Sequence, residues 1–412
     1  MSSHSMPLQD VSCLSVQGPQ TRRTKRRSRD CLSEGVESEC TPTELIQQWS
    51  PGHKYQRFIS KGKENHSNQL LLASRPRRRK ESTSNVSCDL LPDELLLRIS
   101  SYLCLQDLLR MSLVCKRWRR VALDKALWAS VDLEGSTHTD AALQQVLRNG
   151  VRRLRCPRSF IERSHFTGSG PLLMVQMDLS SSSIPTSALE SIVCRCRLLE
   201  NLSLEGLQLS DAIMSSLSAN PHLRQLNLSG CSGFSAAALG EALQRCSSIK
   251  QLNVSWCAFS RDHVRTVVDN LSASVTHLNL SGYRETLALD DVKVLVTRCP
   301  HIHTLDLSDS TLLMADCLPV LKQVKALVHL SLSRCYHIHL AALTDLGRMF
   351  PALCLLDVFG VVPDSHLPQL KKEMPHVSIN SRPFSNVARP TPASRFSDAL
   401  MWNERCHLRV KP

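Results

Sequence analysis

The sequence predicts an α/β solenoid. A curved parallel sheet with outer helices is preceded by a small all-α module and a disordered basic N-terminal segment. Three observations point there. Leucine is the commonest residue, with 65 in 412, while aromatics make up only 4%. A paired apolar motif recurs eight times in the second half at steps of 25, 24, 26, 26, 27, 25 and 26 residues. The excess charge of +13 is unevenly placed, since residues 1–85 carry 15 Lys/Arg against 8 Asp/Glu. The 42% hydrophobic content excludes a wholly disordered chain. Scarce aromatics argue against an RNA binder that stacks bases on Phe, Tyr or Trp.

Residues 1–87 read as the disordered segment. Its charge gathers in two runs, Arg22, Arg23, Lys25, Arg26, Arg27 and then Arg75, Arg77, Arg78, Arg79, Lys80. Such runs in a Ser-rich stretch serve as a nuclear import signal, a nucleic-acid arm or a solvated linker. Two clusters favour import, so nucleus and cytoplasm are the expected locations and direct nucleic-acid binding is not expected. Met1–Gln20 lacks the basic start and apolar core of a secretory signal. No apolar run is long enough for a membrane span, so no membrane partner is expected. The 17 cysteines are then expected to be reduced. They show no paired C-x-x-C spacing, so no metal or other cofactor is expected.

Residues 88–130 form the helical module. Pro92 suits a first helical turn, where its missing N–H costs nothing, and Asp93 and Glu94 favour a helix N-terminus. Leu95, Leu96, Ile99 and Leu103 make an apolar face. Leu108, Leu109 and Val114 belong to a second helix; Cys115 and Trp118 open a third, and Trp128 closes the module. About 40 residues cannot bury so many leucines alone, so this piece needs a neighbour or a partner. The series Leu91-Pro92-Asp93-Glu94-Leu95-Leu96, Asp107-Leu108-Leu109, Val114-Cys115-Lys116-Arg117-Trp118 and Leu127-Trp128 resembles the F-box. The resemblance implies binding of the adaptor that links F-box proteins to a cullin ubiquitin ligase, through Leu91, Pro92, Leu95, Leu96, Ile99, Leu108, Leu109, Val114, Cys115, Trp118 and Trp128. The alternative is a helical cap on the solenoid.

Residues 131–380 hold about ten repeats. Met177-Asp178-Leu179, Leu202-Ser203-Leu204, Leu226-Asn227-Leu228, Leu252-Asn253-Val254, Leu278-Asn279-Leu280, Leu305-Asp306-Leu307, Leu330-Ser331-Leu332 and Leu356-Asp357-Val358 are the eight clear strands. Val131-Asp132-Leu133 and Leu154-Arg155-Cys156 are degenerate ones. In each, the outer pair shares one face and points into the core. The intervening residues show helical spacing. This is the pattern of a leucine-rich repeat. Cys231, Cys257 and Cys335 stand three residues after the second apolar position, Cys246 and Cys299 at helix ends. That usage resembles the cysteine-containing subclass, where the thiol is a small buried residue.

An F-box followed by leucine-rich repeats resembles the substrate receptors of cullin ligases. Leu202–Gly206, Leu226–Phe234, Leu278–Arg284, Leu332–Tyr336 and Ala388–Thr391 carry the likeness within the repeats and tail. No catalytic set can be located among the 16 His and 17 Cys, and a receptor needs none. Gly230, Trp256, Gly282, Asp309, Arg334 and Gly360 stand two places after the second apolar position and form one column across the sheet. Tyr283, Arg284 and Tyr336 flank it. The resemblance implies that this half of the concave face binds a small cyclin-kinase-subunit accessory protein and, with it, a phosphorylated cyclin-dependent kinase inhibitor. Trp256, Arg284, Asp309 and Arg334 match that surface. A plain scaffold without a ligase link is the other reading.

Residues 381–412 break the period. Phe384, Phe396, Trp402 and Leu408 are costly to leave in water. The resemblance implies a tail folded back along the concave face, with Phe384 bordering the accessory site. In a cell-cycle receptor, Lys63-Glu64-Asn65 and Arg29-Asp30-Cys31-Leu32 resemble degrons of the anaphase-promoting ligase, so that ligase, and a cyclin, are further expected partners of the N-terminal segment.

Overall fold

The computed structural model describes residues 88–137, 139–390, 400–402, 404–406 and 408–409. The basic runs at 22–27 and 75–80, the degron residues Lys63, Glu64 and Asn65, and Phe396 lie outside the described residues.

A short 3-10 turn, Cys88–Leu90, precedes three helices: α1 (Asp93–Ser100), α2 (Leu105–Ser112) and α3 (Lys116–Ala122). Pro92 stands at the N-cap of α1, one place before the first turn, with the extended ψ of 152° that its ring permits. The cap of α3 is a thiol, since Trp118 N donates to Cys115 Sγ at 3.4 Å. Asp93 ties the two helices, accepting from Arg117 Nε at 2.9 Å and from Arg120. These guanidinium hydrogen bonds hold its carboxyl below the ordinary 3.8. The indole Nε1 of the fully buried Trp128 donates to Ala122 O at 2.8 Å and joins α3 to the solenoid.

The solenoid strands are β1 (Ser130–Asp132), β2 (Arg153–Arg155), β3 (Gln176–Asp178), β4 (Asn201–Ser203), β5 (Gln225–Asn227), β6 (Gln251–Asn253), β7 (His277–Asn279), β8 (Thr304–Asp306), β9 (His329–Ser331), β10 (Leu355–Asp357) and β11 (Ser378–Ile379). Each pairs in parallel with the next, and Val131, Leu154, Met177, Leu202, Leu226, Leu252, Leu278, Leu305, Leu330, Leu356 and Ile379 lie in one register. That row is buried, as is the row of second apolar residues, against helices such as Ala236–Arg245 and Arg261–Asn270. Ser210 and Ser235 cap two of these helices, each accepting from the amide three residues on, worth about 1 kcal/mol apiece. Among the described residues no helix joins β2 to β3.

The polar residue between the paired apolar ones ends each strand. Asp132, Asp178, Asn227, Asn253, Asn279 and Asp306 each accept, through Oδ1, the amide two residues on, at 3.0–3.1 Å. This turn replaces a backbone turn with a side chain. One cysteine role is equally regular. Cys231, Cys257 and Cys335 donate to the carbonyls of Leu204, Leu228 and Leu307, each in the preceding repeat. Burial pushes the thiols up, that of Cys257 to about 11 and that of Cys335 to about 12. They are staples, protonated at neutral pH.

The tail adds a feature the repeat arithmetic does not contain. β12 (Leu400–Met401) and β13 (Glu404–Arg405) make an antiparallel hairpin. β14 (Leu408–Arg409) then pairs in parallel with β1, Leu408 opposite Val131, and covers the N-terminal edge of a twelve-stranded sheet. Covering a free edge removes a template for unwanted strand pairing.

Candidate binding surfaces

The helical module sorts its apolar residues into two faces. Leu95 and Ile99, four apart on α1, are exposed; Leu96, beside Leu95, is buried. Val114 is 64% exposed, and Pro92 and Cys115 are exposed as well. Leu91 and Trp118 are half-buried, packed against the core. Leu96, Leu108, Leu109 and Trp128, expected on the adaptor-binding surface, are instead sealed in the core, where no partner can touch them. Their part is to hold the three helices on the first repeat. In their place the exposed face includes Leu90, Tyr102 (81% exposed) and Leu113. The signal for these three is their place in short turns, where no helical stripe can turn them inward.

At the turns that follow the strands, every repeat from β1 to β10 has a residue with left-handed backbone. Gly135, Gly206, Gly230, Gly282 and Gly360 take it freely, while Arg158, Ser181, Trp256, Asp309 and Arg334 take it with φ of 54–61°. Each L-residue costs about 1–2 kcal/mol there. The column's glycines therefore serve backbone geometry as well as space. Three of the five strained positions carry the Trp, Asp and Arg singled out by sequence. Because every repeat takes this conformation, it belongs to the repeat turn, and these three positions differ from the others in the side chains they carry.

Those side chains lean along the solenoid. A Cβ on Gly282 would stand 2.7 Å from Trp256 Cδ2, and one on Gly360 would stand 3.3 Å from Arg334 Cγ. Arg334 grips Asp309 with two donors, Nε to Oδ1 at 2.8 Å and Nη2 to Oδ2. Arg284 Nη2 approaches the same carboxylate at 4.0 Å. Asp309 is 2% exposed, whereas both arginines remain open to solvent. One buried acid thus positions two guanidinium groups and leaves a net positive rim.

Tyr283 does not flank this rim. It is buried, stacks on Phe259 at 5.6 Å with the rings 4° apart, and its hydroxyl donates to Val254 O. Burial drives its ionisation far upward. The reason is register. Tyr283 stands three places after Leu280, the position that Cys231, Cys257 and Cys335 occupy in their repeats. The rule that buried the cysteines buries this tyrosine. Arg284 and Tyr336, one place further on, are exposed.

Between the sheet face and the tail lies a cavity of about 350 Å³. Trp256 and Arg334 wall it on one side, Arg382, Pro383 and Phe384 on the other. Its floor holds Asp306, His329 and Asp357, which sequence reasoning missed although they occupy outward strand positions. His329 Nε2 lies 2.8 Å from Asp357 Oδ2, and Arg382 N donates to Oδ1 of the same carboxylate. Burial raises the Asp306 carboxyl above its ordinary range. Phe384 projects 67% exposed at the mouth. The structure thus joins Trp256, Arg334 and Phe384 around one cavity, with Arg284, Asp309 and Tyr336 beside it.

Residues 141–409 match the family described as SKP2 LRR domain, and residues 88–134 match the F-box-like family. Human F-box/LRR-repeat protein 12 is 33% identical over 144 residues, 34% of this chain and 39% of that protein. The mouse protein of the same name is 27% identical over 278 residues, 56% of this chain and 85% of that one. Putative F-box/LRR-repeat protein 9 of Arabidopsis thaliana is 24% identical over 221 residues, 53% and 83% of the two chains. The aligned part thus spans about two fifths of the human relative and most of the other two. With an F-box-like module ahead of repeats matched over more than half its length, the chain belongs to the SKP2 LRR domain family of F-box/leucine-rich-repeat proteins.

Proposed function

We propose that this chain is the substrate-recognition subunit of a cullin-type (SCF) ubiquitin ligase. The observation that carries the proposal is the exposure of Leu90, Leu95, Ile99, Tyr102, Leu113 and Val114 on a module that buries Leu96, Leu105, Leu108, Leu109 and Leu127. Exposure of that kind calls for a partner, and in an F-box the partner is the ligase adaptor. The receptor carries no nucleophile of its own. It raises the effective concentration of a substrate lysine near ubiquitin charged on another subunit.

The finer reading is that the chain works as the S-phase kinase-associated F-box protein does. Trp256, Arg284, Asp309, Arg334, Tyr336 and Phe384 would then take a cyclin-kinase-subunit accessory protein and a phosphorylated cell-cycle regulator such as a cyclin-dependent kinase inhibitor. The match to the SKP2 LRR domain and the arginine rim support it. Nuclear import through the runs at 22–27 and 75–80, and turnover by the anaphase-promoting ligase through Lys63, Glu64 and Asn65, complete the proposal on sequence alone.

Capture of the purified adaptor by the full chain tests the ligase link. Wild type should bind and a Leu95→Asp, Val114→Asp double variant should not. Failure of wild type to bind would leave a leucine-rich-repeat scaffold without a ligase role.

A further inference from the structure

Next to the cavity, which Ser385 and Arg389 also line, the tail makes a second contact with the sheet. Arg389 N donates to Asn386 O at 3.2 Å, closing a turn over Asn386–Arg389 with Ala388 at φ 53°. Side chains of β6 read its backbone. Ala388 N donates to Gln251 Oε1 at 3.2 Å, and Asn253 Nδ2 donates to Val387 O at 3.1 Å. Val387 and Ala388 are buried. Arg389 reaches two repeats back. Its Nε donates to Glu205 Oε2 at 2.9 Å and its Nη2 to Ser229 Oγ at 3.3 Å, while Nη1 folds onto its own Ser385 O at 3.1 Å.

The sheet side of this contact is built independently of the tail. Asn227 Nδ2 holds Glu205 Oε2 at 2.9 Å, and Asn227 and Asn253 are each fixed by the amide two residues on. Gln251 and Asn253 share one face of β6 because they are two residues apart. The occupant is less at ease. Ala388 carries the left-handed backbone that favours glycine, and the Arg389–Glu205 pair is only partly buried.

We propose that this patch on β4–β6 is a recognition site for an arginine-bearing turn of a partner protein, and that the chain's own Asn386–Arg389 turn is its resident competitor. A partner whose turn carries glycine where this chain has Ala388 would fit without that strain and displace the tail. Glu205 selects the arginine, and Gln251 and Asn253 select the turn's backbone, so the residues before the arginine need only be small.

The test uses the full chain and a fluorescent peptide with the sequence of residues 385–391. An internal competitor at high effective concentration lowers apparent affinity for the same ligand added in trans. The Arg389→Ala chain should therefore bind the peptide about tenfold or more tightly than wild type does. Replacing the peptide's alanine by glycine should tighten binding further, and replacing its arginine by alanine should abolish it. Adding Glu205→Ala to the Arg389→Ala chain should abolish binding, with near-UV circular dichroism showing that the variants stay folded. Equal affinity for wild type and Arg389→Ala, binding that survives Glu205→Ala, or no binding to any folded chain would each overturn the proposal.

Discussion

The indole of Trp256 rests on the backbone of Gly282, with its fused-ring atoms Cδ2, Cε3 and Cε2 2.7–3.1 Å from where a Cβ would stand. Glycine at 282 is thus required twice, for its φ of 96° and for the seat it gives the indole. Gly282→Ala should cost about 1–3 kcal/mol in urea unfolding. It should also weaken accessory-protein binding about as much as Trp256→Ala does, although it removes no atom of the binding surface. Titration calorimetry on both variants checks this. Full binding by Gly282→Ala would show that the indole's seat does not matter.

Leu95 and Leu96 adjoin in sequence and part in structure. Leu95→Asp should keep the fold and lose the adaptor. Leu96→Asp, which places an unpaired charge in the core, should destabilise the chain by several kcal/mol. Thermal unfolding and adaptor capture, run on the same two variants, separate the roles.

Asp306 makes with a carboxylate the strand-ending turn that the neutral Asn227, Asn253 and Asn279 make in the three preceding repeats. Its carboxyl is raised by burial, so the folded state favours the protonated form. Stability from this group is present at low pH, falls as pH rises past its ordinary 3.8, and keeps falling up to the folded value. Asp306→Asn keeps the acceptor and removes the charge. It should raise the melting temperature at pH 7 and leave it little changed near pH 3.

Asp93 has the opposite sign. Its carboxyl is held below 3.8 by Arg117 and Arg120, so the link between α1 and α3 is intact above that pH and is lost as pH falls through the depressed value. Circular dichroism of wild type and Asp93→Asn across pH 2–5 should show an acid transition that the variant lacks.

The repeat was legible because a solenoid is nearly one-dimensional, so a period in sequence is a period in space. Every strand from Val131 to Leu356 follows from spacing. Tyr283 was misplaced by attending to residue type and not to register, since the cysteine rule already assigned its position. The split of Leu95 from Leu96 was hidden because apolar type alone does not distinguish a residue facing the core from one facing a partner. The β14–β1 pairing was invisible for a different reason. It joins residues almost 280 positions apart, Val131 and Leu408, through two-residue strands with no period to announce them. The cavity floor of Asp306, His329 and Asp357 becomes a site only when the tail is laid over it.

The most direct measurement is ubiquitin transfer to a phosphorylated cyclin-dependent kinase inhibitor, reconstituted with the cullin, its adaptor and the accessory protein. Wild type should support transfer, and Leu95→Asp and Arg334→Ala should each abolish it while leaving the chain folded, because one empties the adaptor face and the other the arginine rim. Transfer by both variants at the wild-type rate would contradict the account.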